Sequence, residues 1–151
     1  MPPDAVPVSP DPAQVARLAA VQAAQQAFYD AFEARDLDAM SELWEHSDRV
    51  VCTHPGWRTL RGWGAVSGSW FALFRGPNPL QFILTDEVVV VDGDLAWVTG
   101  DENLIGSGPG DVGDLGGTVA ALNLFRRHPT DHGGERWLLV AHHGSAVAPQ
   151  Q

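Results

Sequence analysis

The chain has 151 residues, 44 % apolar and 19 % charged, which suits one globular domain and is too short for two full cores. Its 19 Asp and Glu outweigh 9 basic residues, all arginine, and the net charge of −10 argues against nucleic acid or an anionic membrane as partner. The absence of lysine excludes Schiff-base chemistry and a phosphate-loop lysine, and the single Cys52 excludes an internal disulfide and a multi-cysteine zinc site. No basic start runs into an apolar stretch, and no run approaches roughly 18 apolar residues, so neither a signal peptide nor a membrane helix is expected. A cytoplasmic protein without cofactor or metal is the resulting expectation.

Residues 1–11 are proline-rich and aperiodic, which predicts a flexible tail. Asp11 then suits a helix cap, Pro12 the first helical position, and Gln14 stands three after the cap. Val21, Ala24, Phe28 and Phe32 recur at steps of three and four, so a helix is predicted over 12–34. Asp36 caps a second, shorter helix carrying Leu37, Met40 and Trp44 on one side. The β-branched run over 49–53 predicts a strand, and His54-Pro55-Gly56-Trp57 a turn. Val66, Trp70, Leu73 and Phe74 mark a third helix, stopped by Gly76-Pro77-Asn78-Pro79.

From there the period changes. Strands are predicted over 80–91, 95–105, 118–127 and 136–145, with a tight turn at Asp92-Gly93-Asp94 and a flexible glycine-rich loop over 106–117. Residues 147–151 read as a tail, leaving one domain over 12–146. Helices and strands are segregated, so the fold class is α+β, with a curved antiparallel sheet wrapped over the long helix.

The segments AFYDAFEARDLDAMSELW, RVVCTHPGWRTLRG, VAALNLFRR and RWLLVAHHGS together resemble the SnoaL-like branch of the nuclear transport factor 2-like superfamily, over about residues 20–146. The resemblance implies a cone-shaped α+β barrel enclosing a deep pocket, and a homodimer packed through the sheet. The superfamily includes ketosteroid isomerases, scytalone dehydratase and polyketide cyclases, as well as non-catalytic assembly modules, so the fold leaves the activity open. Set beside the isomerases, the general-base position falls at His54, the first-helix tyrosine position at Phe28 with Tyr29 beside it, and the protonated-acid position at Asn123.

His54 ends the first strand, where reactive groups around a cavity are placed; the alternative is a ring that caps turn backbone groups. In His142-His143 neighbouring side chains point to opposite faces unless a bulge intervenes. The branch pattern puts His143 and Ser145 inward and His142 outward. His54 and His143 are thus the expected catalytic pair. Tyr29, Trp57, Trp70, Asn123, Ser145 and Glu102 are the expected substrate contacts. The resemblance favours Glu102, whereas alignment to the isomerase sheet favours the parity of Asp101, and both stay open. Trp57 follows Pro-Gly, which suits an aromatic rim. Trp44, Trp97 and Trp137, with Phe28, Phe32, Phe71 and Phe74, read mostly as core, and Cys52 as a buried, inert thiol. Two functions compete: a cofactor-independent acid–base enzyme of dehydratase, isomerase or cyclase type acting on a small hydrophobic or aromatic molecule, and a non-catalytic ligand-binding or dimerisation module.

Overall fold

The computed structural model describes residues 10–77, 79–106 and 115–149. Helix α1 (Pro12–Ala34) opens as its sequence dictates. The Asp11 carboxylate accepts from the Ala13 amide at 3.0 Å, and Pro12 sits where no amide hydrogen is required. The helix ends at Arg35, whose left-handed backbone (φ 53°) turns the chain into Asp36. Asp36 caps α2 (Leu37–Glu42) through the Ala39 amide at 3.0 Å. There follow β1 (Val51–Thr53), β2 (Leu60–Arg61), α3 (Trp63–Phe74), and the long strands β3 (Leu80–Asp92), β4 (Leu95–Gly106), β5 (Leu115–Pro129) and β6 (Glu135–Ala146).

Six strands form one curved sheet in the order β2-β1-β6-β5-β4-β3. Strands β3 to β6 make the expected antiparallel meander. Strand β1 joins β6 in parallel, with Cys52 opposite His142, and β2 adds to β1 as an unforeseen short edge. The class is α+β, as expected. The closed barrel implied by the resemblance is corrected: the sheet stays open between its edge strands β2 and β3. The expected tail over 1–11 lies outside the described residues apart from Pro10 and Asp11, and residues 150 and 151 also lie outside them. The expected glycine loop over 106–117 lies outside them apart from its ends, which are strand. No helix among the described residues is long and apolar enough to cross a membrane.

The core lies between the sheet and the helices. Phe28, Trp44, Trp70, Phe125 and Leu139 are fully buried there, and Phe32 and Phe74 pack against them. Phe71 departs from the expectation: it is exposed on the outer side of α3, with the Arg75 guanidinium 5.2 Å over its ring. Trp97 is only half-buried, because its parity on β4 faces away from the helices.

Two irregularities decide which side chains reach the inner face. In β6, Trp137 and Leu139 face the helices. Phe125 pairs with Leu139 but Leu124 pairs with Ala141, so β6 holds one extra residue there. Beyond this bulge the inward parity passes to His142 and Gly144. In β3, Thr85 pairs with Asp101 and Val88 with Thr99, so Asp86 and Glu87 together oppose Gly100. Asp86 takes a left-handed backbone (φ 57°), and the inward parity passes from Phe82 and Leu84 to Glu87, Val89 and Val91.

Candidate functional site

A cavity of about 130 Å³ opens on the inner face, walled by Phe32, Phe82, Leu104, Val119 and Trp57, with His54, Glu102 and His142 as its titratable groups. Each of the three is held by a second polar side chain from another element.

Strand pairing settles the choice between Asp101 and Glu102. Glu102 pairs with Leu84 and Val119 on the inner face and is 4 % exposed, while Asp101 pairs with Thr85 and Ala120 on the outer one. Tyr29, on the buried side of α1, donates its hydroxyl to Glu102 Oε2 at 2.5 Å. Burial pushes the Glu102 carboxyl up to about 7, with the Tyr29 bond opposing it. Burial and the neighbouring carboxylate raise the Tyr29 phenol well above its ordinary range, so it stays a neutral donor.

His54 follows β1 in a turn closed by the Trp57 amide on its carbonyl at 2.8 Å, with Gly56 at φ 82° supplying the left-handed residue. Its Nε2 lies 2.8 Å from Ser69 Oγ on α3, and Ser69 donates its own hydrogen to the Val66 carbonyl at 2.6 Å. Burial lowers His54 to about 4. His142 places Nδ1 2.6 Å from Asn123 Oδ1, and burial, then the charges of His54 and His143, lower it to about 3. The two rings lie 6.2 Å apart, both neutral at pH 7. Cys52 touches His54 at 3.6 Å, but burial pushes its thiol up to about 12, so it is inert as read from the sequence. Among the described residues no three His, Cys, Asp or Glu side chains converge as a metal site requires.

A family model for the SnoaL-like domain matches residues 21–149. The chain belongs to the SnoaL-like family. A solved structure from Streptomyces avermitilis, provisionally assigned as a dehydratase of the nuclear transport factor 2-like family, is 38 % identical to this SnoaL-like chain, covers 90 % of it and 99 % of itself, and superimposes with a TM-score of 0.75. A second, from Thiobacillus denitrificans, is provisionally assigned as a calcium/calmodulin-dependent protein kinase type II association domain. It is 33 % identical, covers 95 % of this chain and 100 % of itself, and has a TM-score of 0.68. The F-box protein SKIP8 of Arabidopsis thaliana is 29 % identical over 120 residues, which are 80 % of this chain but only 46 % of that protein. The SnoaL-like chain thus spans about half the length of that relative.

Within this SnoaL-like chain the histidine parity is the main correction. His143 and Ser145 lie exposed on the outer face, in an open hollow of about 390 Å³ with Thr99, Asp101 and Leu122. A straight β6 continuing from Trp137 and Leu139 would have turned them inward; the bulge at Val140 brings His142 in instead. Another outer hollow, about 420 Å³ and lined by Leu95, Leu124, Arg49 and Arg126, contains none of the buried polar groups. Asn123 faces inward as expected, but its amide is occupied by His142 and Gln25 rather than open to a ligand. Tyr29 stands behind Glu102, and Trp70 stands behind His54, edge-on at 4.8 Å. Trp57 sits at the rim, 43 % exposed and edge-on to His54.

Ser69 and Gln25 carry roles absent from the sequence-based expectations, and His142, expected outward, faces inward. Gln25 had a usable signal: a polar side chain four after Val21 and three before Phe28, on the apolar stripe of α1. Ser69 likewise stands three after Val66 on the buried side of α3. His142 had none, because its orientation depends on a bulge.

Proposed function

We propose that this SnoaL-like chain is a cofactor-independent acid–base enzyme of dehydratase, isomerase or cyclase type, acting on a small hydrophobic molecule held in the inner cavity. The observation that carries this reading is Glu102: a buried carboxyl, paired with Tyr29, that changes protonation near neutral pH beside two neutral imidazoles. A general acid or base works best when its pKa lies near the working pH. Glu102 meets that condition, whereas His54 and His142, lowered to about 4 and about 3, are weak bases. Glu102 therefore carries the proton, and the two imidazoles orient the substrate. As carboxylate it takes a proton from a substrate C–H; as acid it returns one to another carbon or to a departing hydroxyl, which leaves as water. The provisional assignment of the Streptomyces avermitilis relative as a dehydratase supports this class.

The test is solvent-deuterium incorporation into the C–H positions of single-ring ketones and alcohols, followed by NMR. The wild-type chain is expected to catalyse exchange, and Glu102→Gln to lower its rate by about 10²-fold or more. Exchange that survives unchanged in Glu102→Gln would remove Glu102 from this role.

A second reading, a dimerisation or ligand-binding module, is favoured by the outer face. Ile83, Val88, Leu95 and Leu122 are 38–57 % exposed there, an apolar patch of the kind a partner subunit covers. The Thiobacillus denitrificans relative, provisionally assigned as an association domain, supports assembly. A homodimer through the sheet is compatible with either function, since the cavity lies on the opposite face. Light scattering at micromolar concentration is expected to return twice the 16.2 kDa chain mass. Val88→Glu with Leu122→Glu should return a monomer. A wild-type monomer would refute the dimer.

A further inference from the structure

A line of polar groups, of which the acid–base reading uses only the last, His142, runs from the edge of the sheet to the cavity. It begins at the β3 bulge, where Asp86 and Glu87 share Gly100 as partner. A Cβ on Gly100 would stand 3.0 Å from Glu87 Cγ and 3.4 Å from its Cα, so the glycine makes room for Glu87 to cross toward α1. There Glu87 Oε2 accepts from Gln25 Nε2 at 3.2 Å. Gln25 Oε1 accepts from Asn123 Nδ2 at 2.8 Å, and Asn123 Oδ1 lies 2.6 Å from His142 Nδ1. Gln25 and Asn123 are buried, at 6 % and 1 % exposure.

The line has a direction. A carboxylate only accepts, so Gln25 must turn its NH₂ to Glu87 and its oxygen to Asn123. Asn123 must then turn its NH₂ to Gln25 and its oxygen to His142. An oxygen at that end requires the imidazole proton on Nδ1, which leaves the Nε2 of His142 as a bare lone pair with no partner among the described residues. The reverse order would need a proton on Glu87. His54 is set by the same logic in the opposite tautomer. Ser69 has one hydrogen and gives it to Val66, so its oxygen must accept from His54 Nε2–H, and the lone pair left on Nδ1 faces the Cys52 thiol at 4.0 Å. Of the two imidazoles that line the cavity, His142 is therefore the one with an acceptor nitrogen left unpartnered among the described residues. The size of the cavity bounds the ligand as well: an apolar cavity of about 150 Å³ holds one benzene ring, and this one measures about 130 Å³.

We propose that Glu87, acting through Gln25 and Asn123, is a positioning residue that holds His142 as a hydrogen-bond acceptor, and that the cavity takes a single-ring compound presenting a hydroxyl donor, the phenol class. The ligand class rests on the reading of the cavity as a small-molecule site; the tautomer rests only on the hydrogen-bond line.

Long-range ¹H–¹⁵N correlation spectra of ¹⁵N-histidine-labelled protein at pH 7.5 test both parts. His142 is expected as the Nδ1–H tautomer and His54 as Nε2–H. Glu87→Gln places an amide that can both donate and accept at the head of the line. The exposed Glu87 can be changed without disturbing the core, and His142 should become a mixture of tautomers while His54, off the line, stays as it was. His142 found as Nε2–H in the wild type, or unmoved by Glu87→Gln, overturns the positioning role. Titration with phenol, anisole and toluene reads the ligand class. Phenol should bind about fivefold to tenfold more tightly than anisole, the worth of one donated hydrogen bond, and Glu87→Gln should shrink that preference. No binding of phenol, or equal binding of anisole, overturns the ligand class. Phenol binding with the expected tautomers, together with deuterium exchange indifferent to Glu102→Gln, would instead refute the acid–base reading alone.

Discussion

Urea unfolding of the wild-type chain is expected to show stability falling by about 1.4 kcal/mol per pH unit between pH 6.5 and 4.5, the slope for one net proton taken up on unfolding. Three buried groups set that slope. His54 and His142 have folded values of about 4 and about 3, below their ordinary 6.5. Their contribution is complete above pH 6.5 and is lost as the pH falls, because the unfolded chain binds two protons that the folded one refuses. Glu102 works the other way. Its folded value of about 7 lies above the ordinary 4.5, so its contribution is complete below pH 4.5 and fades as the pH rises through 7. Between 6.5 and 4.5 the unfolded chain therefore gains two protons at the histidines and loses one at Glu102. Below 4.5 the Glu102 offset disappears. Glu45 then adds to the loss, since Arg49, Ser47 and His128 hold its carboxylate down to about 2. Glu102→Gln removes the offset, so its slope between 6.5 and 4.5 should double to about 2.7 kcal/mol per pH unit. A wild-type stability flat from pH 7 to 5, or a variant slope equal to the wild type's, would show that these groups are not buried as described.

Trp70→Ala is expected to cost about 3–5 kcal/mol, the range for truncating a large buried aromatic side chain. Trp70 is fully buried and meets Phe28, Phe32 and Phe74 at ring separations of 5.6, 5.0 and 5.7 Å. It also backs both site imidazoles, His54 at 4.8 Å and His142 at 5.9 Å. The loss should therefore appear twice, as a lower urea midpoint and as displaced His54 and His142 ring signals in NMR. Trp70→Phe keeps a ring against these neighbours and also removes an indole N–H that has no hydrogen-bond partner in its buried position among the described residues, so it should cost less than the alanine variant. A loss below about 1 kcal/mol in Trp70→Ala would mean that the surrounding rings collapse into the space, against the rigid packing expected of a core.

What the sequence determined by itself is local. Asp11 and Pro12 start α1, Arg35 and Asp36 end it and begin α2, and the apolar stripe of Val21, Phe28 and Phe32 marks its buried face. These signals involve neighbours within one or two turns, so they survive without knowledge of the fold. The strand alternation and the Pro55-Gly56 turn are legible for the same reason, and they place His54 at the mouth of the core. What only the tertiary structure decided is parity. Glu102 rather than Asp101 faces the cavity because Leu84 and Val119 flank it on the inner face. His142 rather than His143 does so because β6 carries an extra residue at Val140, and Glu87 turns toward Gln25 because β3 carries one opposite Gly100. A bulge exists only relative to the strand it fails to match, so no window of a single strand contains it, and one extra residue moves every later side chain to the other face.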